Sequence, residues 1–307
     1  MKSDEATKGV YPVAVRTLRN ACRTVVPKRL RYELKWHRSY VAIRPPKTKT
    51  SPWQGTADAD CAIIMGLRKR GVNMIDYTID VTHYKEWARR AGYQQFPGYY
   101  EGGRGPNAVE KTLEHYLAAT FLDLRESDIY IDIANDNSPA PDIYRMLYGC
   151  TVYRQDLEFP AGVAGNVIGG DASSLPLKDG FATKMALHCS FEHFEHDSDM
   201  RFIKEASRVL EFGGKLCIVP LYLSGRYVIM TDPGVLPWQG IRFDRDATVY
   251  CRRDYHVRHS RLYDVPHFVS RVCDNLDGLS LIIYVIRNEK DVDPTCYAKF
   301  AAVFEKR

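Results

Sequence analysis

Residues 128–307 spell out an α/β protein built on a doubly wound, mostly parallel sheet. Apolar runs of strand length alternate with helical patterns from Asp128 onward, and strands linked by helical crossovers pack side by side in parallel. Residues 197–210 carry Phe202, Ile203, Ala206, Val209 and Leu210 on one face of a helix. The chain then closes on two apolar runs, 279–286 and 297–304, joined by the polar loop 287–295. With no helix expected between them, these two pair as an antiparallel hairpin at one sheet edge.

Taken in order, residues 1–49 form a basic amphipathic leader with 13 Lys/Arg against 3 Asp/Glu. The other 258 residues hold 30 against 35, so the body is mildly acidic. Within the leader, residues 12–40 mix Val13, Leu18, Leu30, Leu34 and Trp36 with Arg and Lys. Such a stretch could lie on an anionic membrane surface as a peripheral contact. It could equally be a solvated arm packed in part on the body. Nucleic acid is a third partner, but no stacking motif of an RNA-binding module supports it. Residues 45–57 read as a Pro/Thr/Lys linker, inside an N-terminal extension spanning 50–104.

That extension holds short apolar segments at 61–67 and 74–79 and a helix at 82–91. A stronger helix follows at 108–124, with Val109, Leu113, Tyr116, Leu117, Phe121 and Leu122 on one face. Next come a strand at 128–133, a helix at 142–148 ended by Gly149, and strands at 151–155, 166–169 and 183–190. The amphipathic helix 197–210 is capped by Asp197 or Ser198 and stopped by Gly213–Gly214. Strand 215–219 completes the series.

Composition narrows the class. At 45% hydrophobic and 26% charged residues, the chain reads as a soluble globular protein. No run of ~18 apolar residues is present to cross a bilayer, and no secretory signal opens the chain. The eight cysteines include no CxxC pair, which argues against structural metal. Buried reduced thiols point to a reducing, cytoplasmic setting, at most at the inner face of the membrane.

Ligands of an open parallel sheet bind beyond the carboxyl ends of its strands. Four loops there carry suggestive residues. Asp132 ends the first strand, followed by the polar loop 134–139. Asp156, 24 residues further on, can accept hydrogen bonds from two ribose hydroxyls. Asp171 and the backbone N–H of Ala172 can read an adenine edge. HCSFEHF at 188–194 faces the point where a transferable group would lie.

The succession GDASSLPLKDG at 170–180, HCSFEHF at 188–194 and ASRVLEFGGKLCIVP at 206–220 resembles class I S-adenosylmethionine-dependent methyltransferases. The resemblance covers about residues 128–220. It implies a seven-stranded sheet of order 3-2-1-4-5-7-6 with strand 7 antiparallel, in a domain spanning 105–307. It implies S-adenosylmethionine as cofactor, held by Asp132, Ala134, Asn135, Asn137, Asp156, Asp171, Ala172, Ser190 and Glu192. It also suggests that Tyr99, Tyr100, Lys111 and Glu114 touch the amino-acid end of the cofactor; the alternative for them is an ordinary exposed helix. One departure stands out: the family's first loop is glycine-rich, whereas Ala134–Pro139 here has no glycine. Asn and Asp tolerate positive φ, so the turn can survive. The alternative reading is a non-catalytic protein of the same fold that has lost its cofactor.

Methyl transfer is an in-line displacement, and a hydroxyl acceptor needs a base. His193 is the first candidate because imidazole titrates near neutrality, and His256 is the second. His256 and His259 belong to the insert 221–264, rich in Tyr, Trp, Arg and His, which is expected to select the acceptor. The expected acceptor is a sugar, glycan precursor or other small molecule. A nicotinamide dehydrogenase is excluded by the missing GxGxxG.

Overall fold

Alternating apolar positions build a nine-stranded sheet buried on both faces. The computed structural model describes residues 28–43, 57–232, 234, 241–253 and 255–307. The helices are α1 Lys28–Ile43, α2 Ala57–Lys69, α3 Val81–Ala91, α4 Tyr100–Gly103, α5 Ala108–Leu122, α6 Ala140–Tyr148, α7 Ser198–Val209, α8 Val265–Arg271 and α9 Glu289–Val292. The main sheet comprises β1 Asn73–Tyr77, β2 Ile129–Ile133, β3 Thr151–Asp156, β4 Gly162–Ala164, β5 Val167–Gly169, β6 Ala182–His188 and β7 Leu210–Val219. It is completed by β11 Leu279–Ile286 and β12 Phe300–Lys306, in the order β1-β11-β12-β7-β6-β2-β3-β5-β4.

The two-residue period of a strand sends neighbours to opposite faces. Ile131, Ile133, Met185, Leu187, Leu216 and Ile218 pack with α2, α7 and α8. Tyr130, Ala186, Cys217 and Val219 pack on the other side with α3, α5 and α6. Helix α5 is buried nearly all round, Glu110, Lys111, Glu114 and His115 included, so the exposed-helix alternative for Lys111 and Glu114 does not hold.

Several expectations need correction. The main sheet has nine strands rather than seven, because β1 pairs parallel with β11 and the short β4 pairs antiparallel with β5. The β11–β12 hairpin is therefore internal, covered on its outer side by β1. Segment 50–104 thus contributes a strand to the same sheet. The loop expected to lack a helix contains α9. Gly213–Gly214 does not end α7: the helix stops at Val209 and β7 begins at Leu210. Gly213, at φ +78, instead turns the chain inside β7, and the extra residues are taken up by a register shift against β6.

The insert folds into its own three-stranded sheet, β8 Val228–Thr231, β9 Thr248–Cys251 and β10 Ser260–Leu262, in the order β10-β8-β9. Helix α1 packs on it. The Tyr32 hydroxyl lies 2.8 Å from Asp232 Oδ2, and Arg253 pairs with Glu33 at 2.6 Å. The Arg253 guanidinium also lies 4.3 Å over the Trp36 ring. Part of the basic leader is therefore a packed element of the fold. The expectations for residues 12–27 and for the linker 45–56 fall outside the described residues. No helix among the described residues is long and apolar enough to cross a membrane.

Candidate functional site

The loop after β2 solves the glycine problem with left-handed non-glycine residues. Ala134, Asp136 and Asn137 adopt φ of +52, +41 and +60. The conformation is held from three sides. Gln155 Oε1 accepts from Ala134 N at 3.1 Å, the Gln155 carbonyl accepts from Asn135 N at 2.9 Å, and Asp156 Oδ2 accepts from Asp136 N at 3.0 Å. Below the loop, the buried Asp132 carboxylate accepts from Tyr130 OH and Asn135 Nδ2, both at 2.6 Å, and lies 3.0 Å from His188 Nδ1. Three partners make Asp132 a support for the loop as well as part of the wall beside it. Gln155 Nε2 also donates to the Gly170 carbonyl at 2.6 Å, tying the first loop to the one after β5. The end of β5 needs Gly169, where an added Cβ would lie 1.9 Å from the Pro160 carbonyl oxygen.

This frame leaves a continuous trough at the carboxyl ends of the strands. Its smaller part, about 410 Å³, is lined by Ala134, Leu157, Asp171, Ala172 and Phe194. Its larger part, about 900 Å³, runs past Asp156 to Tyr99, Tyr100 and Lys111. Asp156 accepts from Asp136 N and Glu158 N, one per oxygen, which leaves lone pairs on both for further donors. Leu157 is 73% exposed although it lines both parts. Burial and the Asp156 charge raise the Asp136 carboxyl above its ordinary value.

A further cavity of about 840 Å³ opens beside the trough and shares Tyr100, Lys111, Cys189 and Val257 with it. At this junction Lys111 pairs with Glu114 at 2.7 Å. Burial pulls the Lys111 ammonium down, but the Glu114 carboxylate more than reverses this and holds it above its ordinary value. Cys189, at φ +51, has its sulfur 3.3 Å from both Glu192 Oε1 and Tyr222 OH. Burial, then Glu192 and Glu114, push the thiol pKa well up, so it donates as a neutral S–H rather than acting as a nucleophile.

The expected residues thus separate. Asp132, Asp156, Asp171, Ala172, Ala134, Asn135 and Ser190 line the trough, and Asp132 also supports its first loop. Asn137 is exposed and lines neither part, and Glu192 is buried behind Cys189. His193 lines both parts of the trough but not the cavity beyond the junction. Its Nδ1 lies 2.6 Å from the His259 carbonyl. A carbonyl only accepts, so Nδ1 carries the proton and Nε2 is the basic nitrogen, 3.6 Å from Glu192 Oε1. His256 lines the larger part with a 76% exposed side chain, next to the shared Val257. The sequence reading missed Gln155 and Leu157 and, within the HCSFEHF run it singled out, assigned no role to His188, Cys189 or Phe194. For Leu157 a signal was present, an apolar residue directly after a strand-ending acid.

Residues 142–218 match a family model described as a methyltransferase domain. The matched stretch runs from α6 to β7. Solved structures with a similar arrangement include the Bacillus subtilis YcgJ protein, at 17% identity, covering 36% of this chain and 51% of that one, with a TM-score of 0.31. Another is the 1,6-didemethyltoxoflavin-N1-methyltransferase of Burkholderia thailandensis, at 13% identity, 76% and 93% coverage and a TM-score of 0.45. A third is the geranyl diphosphate C-methyltransferase of Streptomyces coelicolor A3(2), at 12% identity, 64% and 80% coverage and a TM-score of 0.41. The chain spans about half the length of the first of these. No curated protein matches the sequence.

The cofactor of such a methyltransferase domain is S-adenosylmethionine, and the trough fits it. The smaller part offers an apolar slot beside an acid and a backbone N–H. Asp156 retains acceptor capacity at mid-trough. Asn135 Oδ1 and Ser190 Oγ are buried in wall residues and lack a hydrogen-bond partner among the described residues. The glycine-free loop does not fill the space with its own side chains.

Proposed function

We propose that this chain is an S-adenosylmethionine-dependent O-methyltransferase whose acceptor is a hydroxyl of a small molecule, such as a sugar or glycan precursor. The observation that carries the reading is the meeting of two cavities, one shaped for the donor and one beside it, at Tyr100, Lys111, Cys189 and Val257. Asp171 and Ala172 would take the adenine edge, Leu157 its face and Asp156 the ribose hydroxyls. Tyr99, Tyr100 and Lys111 would take the amino-acid end. S-adenosylmethionine, when bound, supplies an electrophilic methyl group on a positively charged sulfur. The chain's own task is to align an acceptor oxygen at the junction and to receive its proton. His256 adjoins the shared wall and is assigned that proton, while His193 belongs to the adenosine side. The open trough favours this reading over a cofactor-free relative of the same fold.

The free cysteines among the described residues fit a cytoplasmic setting. The exposed Leu30 and Leu34 of α1, together with the basic residues before them, support a peripheral membrane contact as its place of work.

The test is transfer of a labelled methyl group by the full chain, with variants at the two histidines. His256→Ala should lower turnover without changing donor affinity, and His193→Ala should weaken donor binding. The opposite pattern would reverse the two roles, and failure of S-adenosylhomocysteine to bind would remove the function.

A further inference from the structure

The cavity beyond the junction carries chemistry that the donor reading does not use. Besides the four shared residues, its wall includes Asp60, Glu289, Lys290 and Lys299. Glu289 opens α9, fixed there by Asn288, whose side chain accepts from Ile79 N at 2.7 Å and donates to the Ile79 carbonyl at 3.1 Å. Glu289 is only 7% exposed. One of its oxygens is 3.7 Å from the Lys299 ammonium. The other, Oε2, is buried without a hydrogen-bond partner among the described residues. A buried carboxylate oxygen without a donor is costly, and a residue lining a cavity can be supplied with one by whatever fills that cavity.

The charge balance says what kind of donor. Asp60 and Glu289 are matched by Lys290 and Lys299, the third lysine of the wall, Lys111, is already paired with the buried Glu114 at 2.7 Å, and Lys290 is engaged as well, donating to the Pro294 carbonyl at 3.0 Å and to that of Cys296 at 2.5 Å. With Lys111 neutralised by Glu114, the remaining charges of the wall balance, two of each sign, and favour neither an anionic nor a cationic guest. The rest of the lining is aromatic, with Tyr222 and Tyr297 stacked at 6.4 Å and Phe300 nearby. Flat apolar faces next to a free hydrogen-bond acceptor suit a ring that is apolar on its faces and hydroxylated at its rim.

We propose that this cavity binds a neutral, polyhydroxylated ring, the acceptor in the methyltransferase reading, and that Glu289 Oε2 accepts a hydrogen bond from one of its hydroxyls. The inference rests on the methyltransferase reading for the identity of the site, but it concerns binding alone. Glu289 selects and orients the acceptor by taking up a donor that an analogue lacking that hydroxyl does not offer. Sites built this way discriminate strongly against such an analogue.

The experiment is ligand-observed NMR on the full chain, by saturation transfer. The probes are glucose, its monodeoxy analogues, myo-inositol, butylamine and butyrate. Saturation should reach glucose or myo-inositol and not the amine or the acid. One monodeoxy glucose should bind at least tenfold more weakly than glucose, and Glu289→Gln should weaken glucose to a similar extent. The monodeoxy series uses the unaltered protein and stands even if the variant folds poorly. Equal binding of all deoxy analogues, no binding of the neutral rings, or preference for the amine or the acid would overturn the proposal. Calorimetry with S-adenosylhomocysteine on the same sample separates the two levels. Sugar binding without donor binding would sustain this inference and remove the transferase reading, and donor binding without sugar binding would do the reverse.

Discussion

Replacing Ala134 by glycine should make the protein slightly more stable. Ala134 adopts φ +52 at the first turn of the donor loop. A left-handed conformation costs a residue with a Cβ about 1–2 kcal/mol. Glycine removes that cost but adds about 0.5–1 kcal/mol of backbone entropy in the unfolded chain. The Ala134 methyl is half-buried against the core below the sheet, and its loss subtracts roughly a further 0.4 kcal/mol, half the value of a fully buried methylene. The net expectation is a gain of up to about 1 kcal/mol, small but of opposite sign to most substitutions. Urea unfolding followed by circular dichroism measures it, with Asn137→Gly as a companion. Asn137 is exposed at φ +60 and loses no packing, but asparagine tolerates this region, so its gain should be smaller still. A loss of more than about 1 kcal/mol in Ala134→Gly would refute the reasoning, because the methyl group and not the backbone would then decide the loop.

Two further outcomes test the frame around the trough. Gln155→Leu should destabilise the chain by about 2–5 kcal/mol, since it leaves the Ala134 N–H and the Gly170 carbonyl without their buried partner; a loss under 1 kcal/mol in urea would show that the two loops do not depend on that side chain. His267 stacks on Tyr227 at 3.8 Å between Asp246 and Asp264. Burial lowers its pKa, but the two carboxylates outweigh it and leave the imidazole raised. A raised folded pKa adds stability that is complete below the unfolded value and fades as pH climbs through the folded one. Unfolding scans from pH 5 to 9 should show a loss across neutral to mildly basic pH that His267→Ala lacks, and identical profiles would contradict the pairing.

Much of the architecture was legible because it follows from period. The strands at 128–133, 151–155 and 183–190 and the helix 197–210 carry their burial pattern in local sequence. What escaped was decided at long range. β1 reads as a bare apolar fragment until β11 offers it an edge, more than 200 residues away. At Gly213–Gly214 the sequence looks like a helix stop, but Leu210 already pairs with Ala182 and carries the chain straight into a strand. In the site, Asp156 and Asp171 were readable from their position after strands. Asp132 was readable as a strand-ending acid but not as a buried support, because its partners Tyr130, Asn135 and His188 come from different elements. The left-handed Ala134 had no sequence signal at all. Only the clamp from Gln155 and Asp156, set by the neighbouring strand, makes that turn affordable.

The most direct measurement is calorimetric titration of the full chain and its Asp156→Ala variant with S-adenosylhomocysteine. Loss of a charged hydrogen bond to the ribose is worth roughly 1.5–3 kcal/mol, so the wild-type chain should bind and the variant should bind about ten to a hundred times more weakly. Equal affinity in the two proteins, or no heat of binding in either, would contradict a donor seated over Asp156.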